Sequence, residues 1–298
     1  MWTSKSLASR FKHEFFRTTV KMRLTAVARL LLYPVSFYYA LNPAVRKRYS
    51  YYLEHRFGSS GGLAGLVRTA RAYKNFADIL LDRMILGISG TLPVKQDQST
   101  LDTLRGILAE GNGCMLVSAH FGSWQLGTLG LEELGRPIHL VQWIDEGDVD
   151  RHYFQNSQHF HDIHIINAKE GFPAVVEIRK ALKENGIVCF MGDRLTPNDR
   201  DSIAVPFLGG TIRIPSAPYV LASAAGAPIM HTFSVRKDSV ITGLPPVVTR
   251  LAPNIRKDRA ALEEAARRFA SRLEELTLQY PFHFFNFYDV WSSQNDQE

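Results

Sequence analysis

Two cysteines in 298 residues, Cys114 and Cys189, leave no material for a disulfide framework. Each sits inside an apolar run with the pattern of a buried strand, so both read as small core residues in a reducing compartment. The N-terminal part also has only short uncharged stretches. The longest near the start, Leu30 to Val45, contains two prolines and falls short of the roughly 20 apolar residues that span a bilayer. The first residues lack a long apolar core followed by a small-residue cleavage site, and no cleavable export signal is expected. Neither a G-x-x-x-x-G-K-[ST] phosphate loop nor a G-x-G-x-x-G fingerprint occurs, which leaves nucleotide chemistry without support. No Pro/Gly/Ser-rich linker, repeat or low-complexity run divides the middle of the chain, so we expect one folded domain with an N-terminal appendage.

What is present is apolar and basic. Hydrophobic residues make up 45% of the chain and charged ones 21%, enough to bury a substantial core, and the formal net charge is +6. A basic surface favours phospholipid head groups, nucleic acid or an acidic carrier protein, and charge alone does not choose among them. Around Leu30 to Val45 the positive charge is local: Arg17, Lys21, Arg23 and Arg29 precede the segment and Arg46, Lys47 and Arg48 follow it. Phe37, Tyr38, Tyr39, Tyr49, Tyr51 and Tyr52 add amphipathic aromatics, a mixture that suits an interfacial helix on anionic lipid. The same pattern also fits a helix pair over 24–57 packed on the core. Residues 1–60 are therefore read as a basic, aromatic, membrane-associating helical segment and 61–298 as an α/β domain.

Within that domain helical and strand-like patterns alternate. Leu66, Ala70, Tyr73, Phe76, Leu80 and Met84 predict a long helix over 63–86. A helix at 101–110 is stopped by Gly111-Asn112-Gly113, and the run Cys114 to Ala119 then reads as a buried strand ending at His120. The pattern recurs in a helix at 173–185, a strand at 187–191 leading into Gly192-Asp193-Arg194, strands near 138–143 and 163–167, and a helix at 215–225 followed by a strand at 227–235. The expected fold class is α/β, a central mixed sheet covered by helices. In such sheets ligands bind beyond the carboxyl ends of the strands, where His120 and Asp193-Arg194 both fall.

His120 is followed by Gly122-Ser123, a turn and helix cap, and by Gln125. Five residues across a loop-to-helix junction can bring Gln125 back to one imidazole nitrogen while the other faces substrate, as a general base requires. A histidine that only caps the strand is the plainer alternative. Asp193 reads as a loop cap or a functional acid, Arg194 as an ion-pair partner or an anion clamp. Val205 to Gly210, followed by Arg213, reads as a hairpin beside a substrate channel. His152, His159, His161 and His164 crowd one region without zinc-ligand spacing, so no metal is expected. Gly58-Ser59-Ser60-Gly61-Gly62 matches G-x-S-x-G but follows a helix-like segment, lacking the strand that makes a nucleophile elbow.

Four segments taken together, SAHFGSWQLG (118–127), FMGDRLTPNDRDSIAVPFLGG (190–210), PSAPYVLASAAGAPIMHTF (215–233) and PFHFFNFYDVW (281–291), resemble the lysophospholipid acyltransferase superfamily. The nearest branch holds the late lipid A acyltransferases and related bacterial glycolipid and aminolipid acyltransferases. The resemblance implies a fatty acyl donor carried as an acyl-carrier-protein or coenzyme A thioester, and an acceptor hydroxyl or amine on a lipid-like molecule. It also implies a place on the cytoplasmic face of the bacterial inner membrane, peripheral or monotopic, with no cofactor and no nucleic-acid partner. His120 matches the family's base, but Gln125 stands where the family places a carboxylate, directly after four intervening residues. Loss of such a carboxylate's charge costs about 10⁴ in rate in a serine-protease triad. Asp193 matches a second-motif carboxylate that faces the histidine in some members, and it is expected to supply the missing charge. By the same resemblance Arg194, Gly122, Ser123 and, more weakly, Arg213 would contact substrate. A non-catalytic lipid-binding or carrier-binding homologue, motivated by Gln125, and a thioesterase are the competing readings.

Overall fold

The computed structural model describes residues 10–22, 24–95, 97–127, 129–144, 163–197, 199 and 201–292, with the side chains of all of these except 10–15 and 125. Its backbone forms two compact units. Of the described residues, one holds those up to Pro93 together with Thr277–Val290, and the other those within 94–144 and 163–276 together with 291–292.

The second unit is an α/β layer. Strands β1 (Val94–Lys95), β2 (Cys114–Ser118), β3 (Ile138–Gln142), β4 (Ile163–Asn167), β5 (Ile187–Met191), β8 (Ile229–Lys237) and β9 (Val240–Thr249) form one sheet in the order β1-β9-β8-β2-β5-β3-β4. The five strands from β8 to β4 are mutually parallel, and β9 returns antiparallel to β8. β6 (Ser202–Phe207) and β7 (Gly210–Pro215) make a separate antiparallel hairpin, as the turn at Leu208-Gly209 predicts. Helices α5 (Gln98–Ala109), α6 (Phe172–Lys183), α7 (Ala217–Ala225) and the start of α8 (Arg259–Gln279) complete the layers.

β2 lies in the middle because its sequence is apolar on both faces: Cys114, Met115 and Val117 are completely buried and Leu116 nearly so. Leu104, Ile107 and Leu108 of α5 close over one side of it, with Ile187 and Met230 from the adjacent strands. Gly113 is obligatory at its entry. A Cβ there would lie 2.6 Å from the Gly186 carbonyl oxygen, and φ is +66°. Asn185 locks the same corner, accepting from the Gly113 N–H (2.9 Å) and donating to the Leu108 carbonyl (3.0 Å). Cys114 and Cys189 are free thiols, and burial raises both pKa values, so neither is poised as a nucleophile.

The first unit is helical: α1 (Arg10–Lys21), α2 (Thr25–Leu41), α3 (Pro43–Phe57) and α4 (Gly62–Ser89). Asn42 caps α3 by accepting from the Ala44 N–H, with Pro43 at the first helical position. Gly58, left-handed at φ +70°, ends it, so the 58–62 run joins two helices. α2 lies along α4: Arg29 pairs with the buried carboxylates Asp78 (3.4 Å) and Asp82, and Lys74 holds the other oxygen of Asp78 at 2.6 Å. The aromatic run after α8 belongs to this unit. Tyr52 donates to the Pro281 carbonyl, Asn75 to that of Phe282, and Phe287 packs on Tyr49, Tyr73 and Phe76. Among the described residues no helix is long and apolar enough to cross a membrane.

Candidate active site

Parallel pairing dictates what meets beyond the sheet. Ser118 of β2 is registered with Met191 of β5, so continuing both strands by two residues sets His120 beside Asp193. The Gly192 N–H donates to the Ser118 carbonyl at 2.8 Å and keeps the strands together past their formal ends. Gly192 needs its small size: a Cβ would lie 2.6 Å from a Val117 methyl and 3.1 Å from the Phe269 ring of α8.

The Asp193 carboxylate is gripped twice by one residue. The His120 backbone N–H donates to Oδ2 at 2.9 Å, and the ring Nδ1 lies 3.0 Å from Oδ1. Burial alone would raise the Asp193 pKa. The charge and hydrogen bond of His120, the Arg194 guanidinium and the backbone N–H outweigh it and hold the group at about 2. Asp193 is therefore ionised near neutrality, which fixes the proton of a neutral His120 ring on Nδ1 and leaves Nε2 as a lone-pair acceptor. Burial and then Arg194 lower the His120 pKa below its ordinary value, against the opposing pull of Asp193. The imidazole is thus neutral and basic at pH 7. Only Asp193 is sealed from solvent. The His120 side chain stays 18% exposed, against 1% for the aspartate.

The loop after His120 is held from β8. The Ser123 N–H donates to the Ser234 carbonyl at 2.8 Å, and Ser123 is fully buried. Gly122, at φ +57°, would place a Cβ 1.9 Å from that same carbonyl oxygen, so its glycine serves the close approach of loop to strand. Trp124 packs its indole against His120, with centroids 5.4 Å apart at 54°. Gln125 lies in the 3-10 turn Trp124–Leu126, but its side chain falls outside the described residues. The carboxylate seen on His120 is that of Asp193.

Arg194 acts electrically on both members of the pair. Arg213 sits on the exposed side of the hairpin, its Nε 2.8 Å from Ser202 Oγ and a terminal nitrogen 3.4 Å from the Ser202 carbonyl. His152, His159 and His161 lie outside the described residues, and His164 stacks on His139 of the neighbouring strand at 5.1 Å. Among the described residues no three His, Cys, Asp or Glu side chains converge as a metal site. The sequence reading did not single out Trp124 or Ser234. The anchoring role of Ser234 depends on β8 pairing with β2 across more than one hundred positions, which no local pattern encodes.

A base and a buried carboxylate at the carboxyl ends of adjacent parallel strands form a general-base pair suited to activating a hydroxyl or amine. The family model for the bacterial lipid A biosynthesis acyltransferases matches residues 77–293, which covers both strands, the hairpin and the C-terminal aromatic run. No curated protein matches the chain. With well over half of its length matched, the chain belongs to the bacterial lipid A biosynthesis acyltransferase family, within the lysophospholipid acyltransferase superfamily.

Proposed function

We propose that this acyltransferase moves a fatty acyl group from an acyl-carrier-protein or coenzyme A thioester to a hydroxyl or amine of a membrane-associated acceptor, with His120 as general base. The observation that carries the proposal is the 3.0 Å contact between His120 Nδ1 and the ionised Asp193, which leaves Nε2 to accept a proton. The acceptor gives that proton to Nε2 as its oxygen or nitrogen attacks the thioester carbonyl. The tetrahedral intermediate then collapses, the carbon–sulfur bond breaks, and the imidazolium returns the proton to the departing thiolate. Asp193 orients the ring and stabilises the transient imidazolium with a charge that the neutral amide of Gln125 could not supply. Arg194 is proposed to face a phosphate of donor or acceptor, while Gly122 and Ser123 shape the wall behind the histidine.

The helical unit supports a surface location. The outward side of α2 exposes Val27, Leu30, Tyr33, Phe37, Tyr38 and Leu41 and no charged side chain, because its one arginine turns inward to Asp78 and Asp82. Such a face suits the interface of a leaflet, with the protein peripheral or monotopic on the cytoplasmic side.

Incubating the protein with acyl thioester and a membrane extract tests the reading. Thiol should be released stoichiometrically with labelling of one lipid, and His120→Ala should abolish both. Equal labelling by His120→Ala would reject the base. Free fatty acid formed from donor alone, faster than any transfer, would make the protein a thioesterase. Tight lipid or carrier binding with no turnover would make it a binding homologue.

A further inference from the structure

Apart from the candidate active site, the helical unit carries an unusual set of cations. Phe57 at the end of α3 and Phe282 of the C-terminal run stack at 5.9 Å and 20°. Arg56 and Arg68 place their guanidinium carbons 4.8 and 4.3 Å from the Phe57 centroid, and Arg71 lies 4.7 Å from that of Phe282. Three positive charges are thus fixed around one pair of rings. Arg56 is further pinned by donating to the Leu278 carbonyl at 3.0 Å, and Arg68 to that of Ser59 at 3.3 Å.

The group departs from the arginines of the α/β unit. There Arg105 pairs with Asp102, Arg250 with Glu110, Arg259 with Asp201 and Glu263, and Arg268 with Glu264. No salt bridge joins Arg56, Arg68 or Arg71 to a described carboxylate. The nearest acid in sequence, Glu54, accepts from Ser60, and Asp78 and Asp82 are committed to Arg29 and Lys74. Like charges held together at partly shielded positions repel, and an arriving anion relieves that repulsion. The planar fork of guanidinium favours a phosphate oxygen pair.

We infer that Arg56, Arg68 and Arg71 bind the phosphate of an anionic membrane lipid. The lipid is favoured over an acidic protein by what surrounds the cations. Leu63 and Val67 lie two turns and one turn before Arg71 on one face of α4, and they are 74% and 52% exposed. The same face continues through Lys74 to Asp78 beneath α2, as the Lys74 contact with the Tyr33 ring shows. Charge and exposed aliphatic surface on one helix face match a head group with its glycerol and upper chain beside it. The site shares no residue with the His120–Asp193 pair, and the inference stands whether or not that pair transfers acyl groups.

The test uses the full chain in flotation with phosphatidylcholine vesicles, with and without phosphatidylglycerol. Wild type should bind the doped vesicles better, and salt should weaken the preference. Arg71→Gln, at an exposed position, should lower that partition about fivefold. The triple variant R56Q/R68Q/R71Q should lose the preference altogether, while Arg267→Gln on α8 should leave it intact. Melting temperatures and thioester turnover in detergent, unchanged in Arg71→Gln, separate binding from folding and from chemistry. Wild-type partition in the triple variant would overturn the inference. So would a loss confined to binding an acidic carrier protein.

Discussion

Two histidines belong to adjacent strands of the sheet, one just past a strand end and one in a strand's interior, and they differ in what decides whether an imidazole does chemistry. His120, just past β2, faces a buried carboxylate, carries its proton on a defined nitrogen and keeps part of its ring open. His231, inside β8 and registered against Val117 of β2, is wholly buried beside Phe269, and among the described residues neither of its ring nitrogens has a hydrogen-bond partner. Burial, helped by Arg268, pushes the His231 pKa down to about 4. Both rings are therefore neutral at pH 7, and depressed basicity alone says nothing about function. The carboxylate and the strand end make the difference. His231 has neither, and its environment marks it as a core residue kept at a cost.

The largest expected effect breaks the pair at its carboxylate. Asp193→Asn keeps the shape but removes the charge and permits the wrong tautomer, and kcat should fall by up to about 10⁴. A steady-state assay with acyl thioester checks this. Activity within tenfold of wild type would transfer the orienting duty to another group, Gln125 first. The equivalent assault on the other histidine should spare activity and change stability instead. His231→Leu removes two unsatisfied polar atoms from an apolar site, an exchange that is neutral or stabilising. The sign of its pH dependence follows from linkage. The folded pKa, about 4, lies below the unfolded value near 6.5, so the unfolded chain binds a proton that the folded chain refuses. The native state loses about 3 kcal/mol from this residue as pH falls across that window, and the loss should vanish in His231→Leu. Urea unfolding at pH 7 and pH 5 captures a little over half of it, about 2 kcal/mol. Identical pH dependence in the two proteins would mean that His231 finds a partner in solution.

The same contrast explains what the sequence made legible. Helices and strands in the α/β unit were readable because buried parallel strands are apolar throughout and their ends carry Gly and Asn, as at Gly113 and Asn185-Gly186. Two strand-end motifs, 118–127 and 190–194, could be marked as places for a ligand. Their meeting could not be computed from spacing, since it depends on β2 and β5 being neighbours in register. The resemblance supplied that expectation, and the register supplies its physical reason. Residues 240–279 went unread, although they form β9 and the whole of α8. β9 is half exposed and interrupted by Pro245-Pro246, and the face of α8 that matters is defined by what it covers, Phe269 against Gly192, His231 and Phe233. The N-terminal segment was legible as basic and aromatic. That Arg29 turns inward, leaving the outer side of α2 without charge, depended on Asp78 and Asp82 half a helix bundle away in sequence.

Arg194 offers the finest discrimination, because it should move a pH profile without being required for the proton transfer itself. Its positive charge is one of the two influences that depress the His120 pKa. In Arg194→Gln that influence is gone, so the imidazole pKa rises and the neutral, proton-accepting form is lost at a higher pH. The acid limb of kcat/KM should therefore shift upward, toward the ordinary histidine value near 6.5. Asp193 remains ionised throughout, since Arg194 is only one of several groups holding its pKa near 2. A profile measured from pH 5 to pH 8 separates this from substrate binding. Loss of a phosphate contact raises KM at every pH, whereas loss of the electrostatic influence displaces the limb and leaves the alkaline plateau of kcat in place. An unmoved acid limb would mean that solvent screens Arg194 from His120, and the low basicity of the histidine would then rest on burial alone, as it does for the most part in His231.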